Sequence, residues 1–411
     1  MENVCSINNL VACLVQGGMN RDLANLLTTL GAGVLVATVP LITVIFLIWI
    51  ERKVAARVQD RIGPNRVGPF GLLQSVADAV KMITKEDITP TGADKFIYNL
   101  APIIAFASVI LIWAVVPFTP LHIGADLSIG ILYFVAVASI GTIKIMIAGW
   151  SSNNKYALLG AFRTIAQLLS YEVPLVLSLL IPVMISGTMS MQEMTRQQSG
   201  MWFFFMAPVA AIMFFIANLA ETGRAPFDLL EAESEIIAGY NIEYSGFKWG
   251  MFMASEFTHA FTACLLTAVV FLGGWWGPGV IQIPVLGIVY LGLKTGVVYL
   301  FALILRSTVP RVRIDQLMSL NWKWLVPISV LNVIMTSGLL KIIQLVGLAP
   351  QDGTLGAALP QTIILLLGNL VLVIGIFSRI RNLGRNERLA NEGVPVRGEH
   401  EEAAPVHAVG D

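Results

Sequence analysis

Of the 411 residues, 56% are hydrophobic and only 13% are charged, and 26 basic residues balance 26 acidic ones. Soluble domains carry about 25% charged residues, so roughly half the usual charge is missing. This sets aside a soluble enzyme, a nucleic-acid binder and a secreted disulfide scaffold, because each needs a water-compatible surface.

A helix needs about 20 apolar residues to cross about 30 Å of hydrocarbon. Along the chain that criterion predicts spans at 31–50, 100–118, 128–149, 161–186, 201–220, 251–273, 284–305, 325–347 and 359–378. The predicted fold class is therefore an all-α integral membrane protein, a bundle of about nine transmembrane helices. Residues 1–30 form an outward-facing segment, 31–380 the helical domain, and 381–411 a polar inner tail with no reason to pack. Orientation follows from the basic residues: 21 of the 26 lie in the loops after spans one, three, five and seven and in the tail. That side is expected to face the cytoplasm or matrix.

At the inner end of the first span, WIERKVAARVQDRIGPNRVGPFG places Glu51 and Arg52 at the boundary. Lipid anchoring accounts for its basic residues, but two Gly-Pro steps fix a rigid, non-helical path that suits docking of another protein. In the next segment, 70–86, Leu72, Leu73, Val76, Val80 and Ile83 recur at helical spacing, with Gln74, Asp78, Lys81 and Lys85 on the other side. It reads as an amphipathic helix lying in the membrane interface.

Further along, Glu172 falls about 16 Å into the fourth span at 1.5 Å per residue. Lys294 is similarly central in the seventh, between Gly292 and Gly296. Ionisable residues at such depth cost at least about 2.5–3.5 kcal/mol. They either pair to fix helix packing or carry protons, and the second reading is favoured. Between spans five and six, ETGRAPFDLLEAESEIIAGYNIEYSGFK holds six acids against Arg224 and Lys248. A helix after Pro226 would set Asp228, Glu231 and Glu235 on one face and Glu233 on the other. Clustered carboxylates that are partly buried titrate together, which makes this loop a candidate proton entry; the bland reading is a solvated acidic face. A third polar inner loop, RSTVPRVRIDQLMSLNWKW, carries Arg306, Arg311, Arg313 and Asp315. Cys5, Cys13 and Cys264 form no CxxC pair and no cluster with the four histidines, so no iron–sulfur or zinc site is expected in this chain.

These stretches together resemble one family: the quinone-chamber membrane subunit of respiratory complex I, NADH:quinone oxidoreductase. The carriers are ERKVAARVQDRIGPNRVGPFGLLQSVADAVKMITKED, AGWSSNNKYALLGAFRTIAQLLSYE, RAPFDLLEAESEIIAGYNIEYSG and PRVRIDQLMSLNWKWLVP, in family order over about 50–327. Residues 1–30, the last span and the tail are not covered. Leu230 stands where the family often has Pro, and Asn321 where Gly is common. The resemblance implies a tilted bundle of eight core helices with a ninth appended. It also implies a quinone tunnel along Glu51, Arg52, Asp78, Arg224, Arg306 and Arg311. A proton path through Glu172, Glu221, Asp228, Glu231, Glu233, Glu235, Glu256 and Lys294 is implied as well.

Quinone would be the substrate, with FMN and iron–sulfur clusters held by hydrophilic partner subunits. Further partners would be membrane lipid and small membrane subunits leading to antiporter-like ones, with no nucleic acid. A bacterial plasma membrane is expected rather than a mitochondrial one. Two alternatives stand beside this: a proton or cation transporter acting alone, and the related membrane subunit of an energy-converting hydrogenase.

Overall fold

Long apolar runs in lipid must satisfy their own backbone hydrogen bonds, and helices do this within one segment. The computed structural model is accordingly all-helical, and it describes residues 20–120, 124–228, 239–348 and 355–391. In chain order the helices are α1 Arg21–Val58, α2 Gln74–Thr84, α3 Lys95–Trp113, α4 Gly130–Ser151, α5 Lys155–Ser186, α6 Met191–Gln197 and α7 Phe203–Met206. Then follow α8 Pro208–Glu221, α9 Gly246–Phe271, α10 Leu286–Thr308, α11 Ile314–Leu320, α12 Val326–Val346 and α13 Leu355–Asn391, with a π-helical turn at Asn321–Leu325 joining α11 to α12. Eight described helices are long and apolar enough to cross a membrane. In the most apolar stretch of α9, 72% of residues are buried, against 17% in α1 and 11% in α13. So α9 is the central post and α1 and α13 stand at the rim.

The fifth expected span, 201–220, is not one long helix. Pro208 has no N–H to donate and disfavours helical geometry at the residue before it. Ala207 takes φ −137° and ψ 64°, and the chain breaks into α7 and the 14-residue α8, only about 21 Å long. The Asn369 side chain on α13 donates to the Met206 carbonyl at the break, at 3.2 Å. The appended helix thus seals a defect in the bundle. It also continues past 378 to Asn391.

Prolines inside two other spans free carbonyls in the same way, and side chains from distant segments answer them. Pro102 removes the N–H that would reach the Tyr98 carbonyl, and the Tyr244 hydroxyl donates there instead, at 3.3 Å. Pro174 frees the Ser170 carbonyl, and the Asn321 Nδ2 donates to it at 2.6 Å. Asn321, one of the two departures from the resembled pattern, therefore pins the π-turn to α5. Asn321→Ala is expected to leave that buried carbonyl unpaired and cost about 1–3 kcal/mol. Pro174→Ala, which restores the intrahelical donor, is expected to shrink that cost in a double-mutant cycle read by thermal unfolding in detergent. Additive losses would show that Asn321 acts otherwise.

The predicted interfacial helix is α2, shorter than 70–86 because a tight turn at Pro69–Gly71 precedes it. Leu73, Val76, Val80 and Ile83 are all exposed, an apolar stripe on the surface of the chain. The Gly-Pro segment folds back over the C-terminal end of α1: Trp49 Nε1 donates to the Phe70 carbonyl at 3.1 Å. Gly71 has φ +76°, and a Cβ there would lie 2.2 Å from the Pro64 carbonyl oxygen.

Candidate functional site

Glu51 lies in the last two turns of α1 and is buried. A buried carboxylate needs compensating donors, and three side chains from two places in the fold supply them. Arg224, just after α8, reaches Glu51 Oε1 at 2.7 Å. Arg306, near the end of α10, pairs with the same oxygen. The Tyr299 hydroxyl donates to Oε2 at 3.4 Å. The Arg224 guanidinium also stacks over the Phe257 ring, 4.6 Å from its centroid. Two guanidiniums thus converge on one carboxylate, an arrangement suited to holding a group that becomes anionic.

Next to it, Arg52 binds Asp78 of α2 at 2.5 Å, with Gln74 at 3.3 Å and Lys81 at 3.7 Å. Partial burial pushes the Asp78 carboxyl up, but the hydrogen bond and charge of Arg52, with Gln74 and Lys81, outweigh it and hold it below the usual carboxylate range. The folded value is thus below the unfolded one, so the pair's stabilisation is complete above the ordinary value of 3.8 and fades as pH falls through the folded value. The Arg52 side chain is 46% exposed, which limits the pair to about 0.2–1 kcal/mol. Asp78→Asn is expected to speed amide exchange in α2 at neutral pH, as acid does in the unsubstituted chain. Unchanged exchange would remove this pair as the tether of α2.

A narrow cavity runs between α4, α5, α8 and α9, lined by Ser139, Lys144, Glu172, Glu221, Glu256 and His259. It has room for about two waters. A second cavity, lined by Arg224, Asp228, Phe257 and Arg306, shares Thr222 and Glu256 with the first. The two together run from the Glu51 cluster to Glu172. Along them, Ser139 Oγ donates to Glu172, the Tyr240 hydroxyl donates to Glu256 at 2.9 Å, and Lys144 Nζ donates to Ser255 Oγ at 3.1 Å. Of the residues singled out in the sequence, Glu51, Arg224, Arg306, Asp228, Glu256, Glu221 and Glu172 come together here.

Lys294 does not join them. It lies about 18 Å along α10 from Arg306, where Nζ donates to the carbonyls of Gly274 at 3.1 Å and Trp276 at 2.8 Å and sits 4.9 Å from the Trp202 ring. Arg311 is on the short connection between α10 and α11; the Val312 N–H beside it donates to the Pro226 carbonyl at 3.0 Å, which ties that connection to the Arg224 loop. Glu231, Glu233 and Glu235, with the helix expected after Pro226, lie outside the described residues.

Lys144 and His259 were not among the candidates. Lys144 was visible as a lone charge in an apolar run; His259 had no signal beyond being the one histidine inside a span. Among the described residues, no three His, Cys, Asp or Glu side chains are grouped to hold a metal ion.

A family model described as NADH dehydrogenase matches residues 31–337. The H subunit of NADH-quinone oxidoreductase from Dehalococcoides mccartyi is 48% identical over 297 residues, covering 72% of this chain and 82% of its own length. The protein of the same name from a Geobacillus species is 46% identical over 314 residues, covering 76% and 94%. That of Bacillus thuringiensis is 47% identical over 288 residues, covering 70% and 86%. The chain belongs to the NADH dehydrogenase family.

Proposed function

We propose that this chain is the membrane subunit of a proton-pumping NADH:quinone oxidoreductase that walls the membrane side of the quinone tunnel and carries the first carboxylates of the proton path. One observation carries the reading: the Glu51–Arg224–Arg306 cluster and the half-buried Glu172 open onto two adjoining cavities that share Glu256 and Thr222. A stand-alone transporter would have no use for paired guanidiniums at one end of such a path.

The quinone headgroup enters from lipid between α1 and α2, past Arg52 and Asp78. FMN and iron–sulfur clusters in hydrophilic partner subunits supply the electrons. Reduction places negative charge on the quinone oxygens, and the Arg224 and Arg306 guanidiniums stabilise it there. That new charge alters the energy of each carboxylate further along, at a range that a low-dielectric interior extends. A proton then moves through Glu256 and Glu221 toward Glu172, and onward to small membrane subunits that lead to antiporter-like ones. The acids Asp228, Glu231, Glu233 and Glu235 belong to the loop linking the two ends. The N-terminus faces outward across a bacterial plasma membrane, and the polar loops and C-terminal tail face the cytoplasm.

The test is native purification through a tag on this chain, followed by labelling with a photoreactive quinone. Flavin and iron–sulfur absorbance should co-migrate with NADH:quinone reductase activity, and the label should fall in α1 or α2. A chain that migrates alone, or labelling confined to other subunits, would overturn the reading.

A further inference from the structure

The cavity that holds Glu172, Glu221 and Glu256 is lined by a single ammonium-bearing side chain, Lys144, among the described residues. Lys144 is 6% exposed, and among the described residues its Nζ has one hydrogen-bond partner, Ser255 Oγ. The Ser255 hydroxyl gives its only proton to the Ala105 carbonyl, at 2.7 Å. It therefore meets Lys144 as an acceptor, and the two remaining ammonium N–H groups are left to the cavity. Burying an ammonium costs several kcal/mol unless an opposite charge answers it. A carboxylate that lines the same cavity, Glu256, is next to Ser255 on α9. Glu256 in turn accepts from the Tyr240 hydroxyl, an arrangement that suits an ionised carboxylate. Arg224 and Asp228 line the adjoining cavity, which Glu256 shares. Glu172, Glu221 and His259 complete the titratable groups of the cavity.

We propose that Lys144 is the built-in counter-charge of the carboxylate path. Its ammonium balances one ionised carboxylate, Glu256, so the cavity rests with one proton fewer than it would hold around a neutral residue. Glu256 is thereby the empty acceptor between the guanidinium cluster and Glu172. Lys144 acts through Glu256 and is a positioning residue, not a catalytic one. This deepens the proton-path reading above and rests on it.

The experiment is infrared difference spectroscopy of the carboxylic acid band in the whole purified complex. At neutral pH, Lys144→Gln should gain the signal of one protonated carboxyl, as Glu256 takes up a proton from solvent. That gain should vanish when Glu256→Gln is added, and Lys144→Arg, which keeps the charge, should match the unsubstituted complex. A purely structural lysine predicts no change in the band. No gain in Lys144→Gln, or a gain that survives Glu256→Gln, would overturn the proposal. If Lys144→Gln does not assemble, Lys144→His replaces it: the gain should appear only as pH rises through the imidazole titration, and a flat band would sink the idea. A Glu172→Gln complex that still pumped would defeat the proton path without moving this carboxyl count, so the two failures are distinguishable.

Discussion

Glu51→Gln is expected to lower the stability of the assembled complex by about 3–5 kcal/mol, the typical cost of removing one partner from a buried ion pair. Quinone reductase activity should be lost with it. Glutamine keeps the volume and one acceptor oxygen but leaves two guanidiniums facing each other without a carboxylate. The cost is uneven between them. The Arg224 side chain is 12% exposed and loses nearly all its compensation, while Arg306, at 34%, recovers part of it from water. Adding Arg306→Met should restore the charge balance and much of the assembly. It should not restore activity, because one of the two guanidiniums that meet the reduced quinone is gone. Native gels and thermal inactivation read the first effect, and NADH:quinone turnover reads the second. Full assembly and turnover in Glu51→Gln would show that the cluster is neither a structural nor a quinone-binding element.

The spans were legible because hydrocarbon thickness sets a minimum apolar length, and nothing else in the chain imitates a run of that length. Helix ends were less so. Hydropathy marks where lipid begins, not where the helix stops, so α1 starts at Arg21, α5 at Lys155, and α13 continues to Asn391. The break before Pro208 was written in the sequence, but averaging hydropathy over a window passes straight across it.

For the site, single charges in apolar runs stood out one by one, whereas their pairing did not. Arg224 and Glu51 are 173 residues apart, Tyr299 and Glu51 248, and Lys144 and Ser255 111. Local spacing does not encode convergence over such distances. Lys144 and Lys294 looked alike as lone lysines inside spans. The folded chain separates them, because one opens into the carboxylate cavity and the other reaches loop carbonyls beyond the end of α9.

Glu172→Gln is expected to abolish proton translocation. Positioned proton-transfer groups contribute about 10²–10⁴-fold to the steps they serve, and glutamine at 172 can neither release nor accept the proton. The position is well chosen for both protonation states. Ser139 Oγ is within reach of the Glu172 carboxylate and of the Val135 carbonyl, the latter at 3.0 Å, and it has one proton to give. When Glu172 is ionised, the hydroxyl donates to it. When Glu172 is protonated, it donates to Ser139, which turns its own proton to Val135. Neither state leaves a buried polar group unpaired, so the transfer incurs little reorganisation. Glutamine mimics only the protonated partner and freezes the switch there. Because Glu172 lies at the far end of the two cavities from Glu51, the substitution should leave the cluster and assembly intact, and Ser139→Ala should slow pumping less than Glu172→Gln. The measurement is proton uptake in proteoliposomes alongside NADH oxidation. An unchanged ratio of protons to electrons in Glu172→Gln would remove Glu172 from the path and leave the paired cavities as packing defects around structural charges.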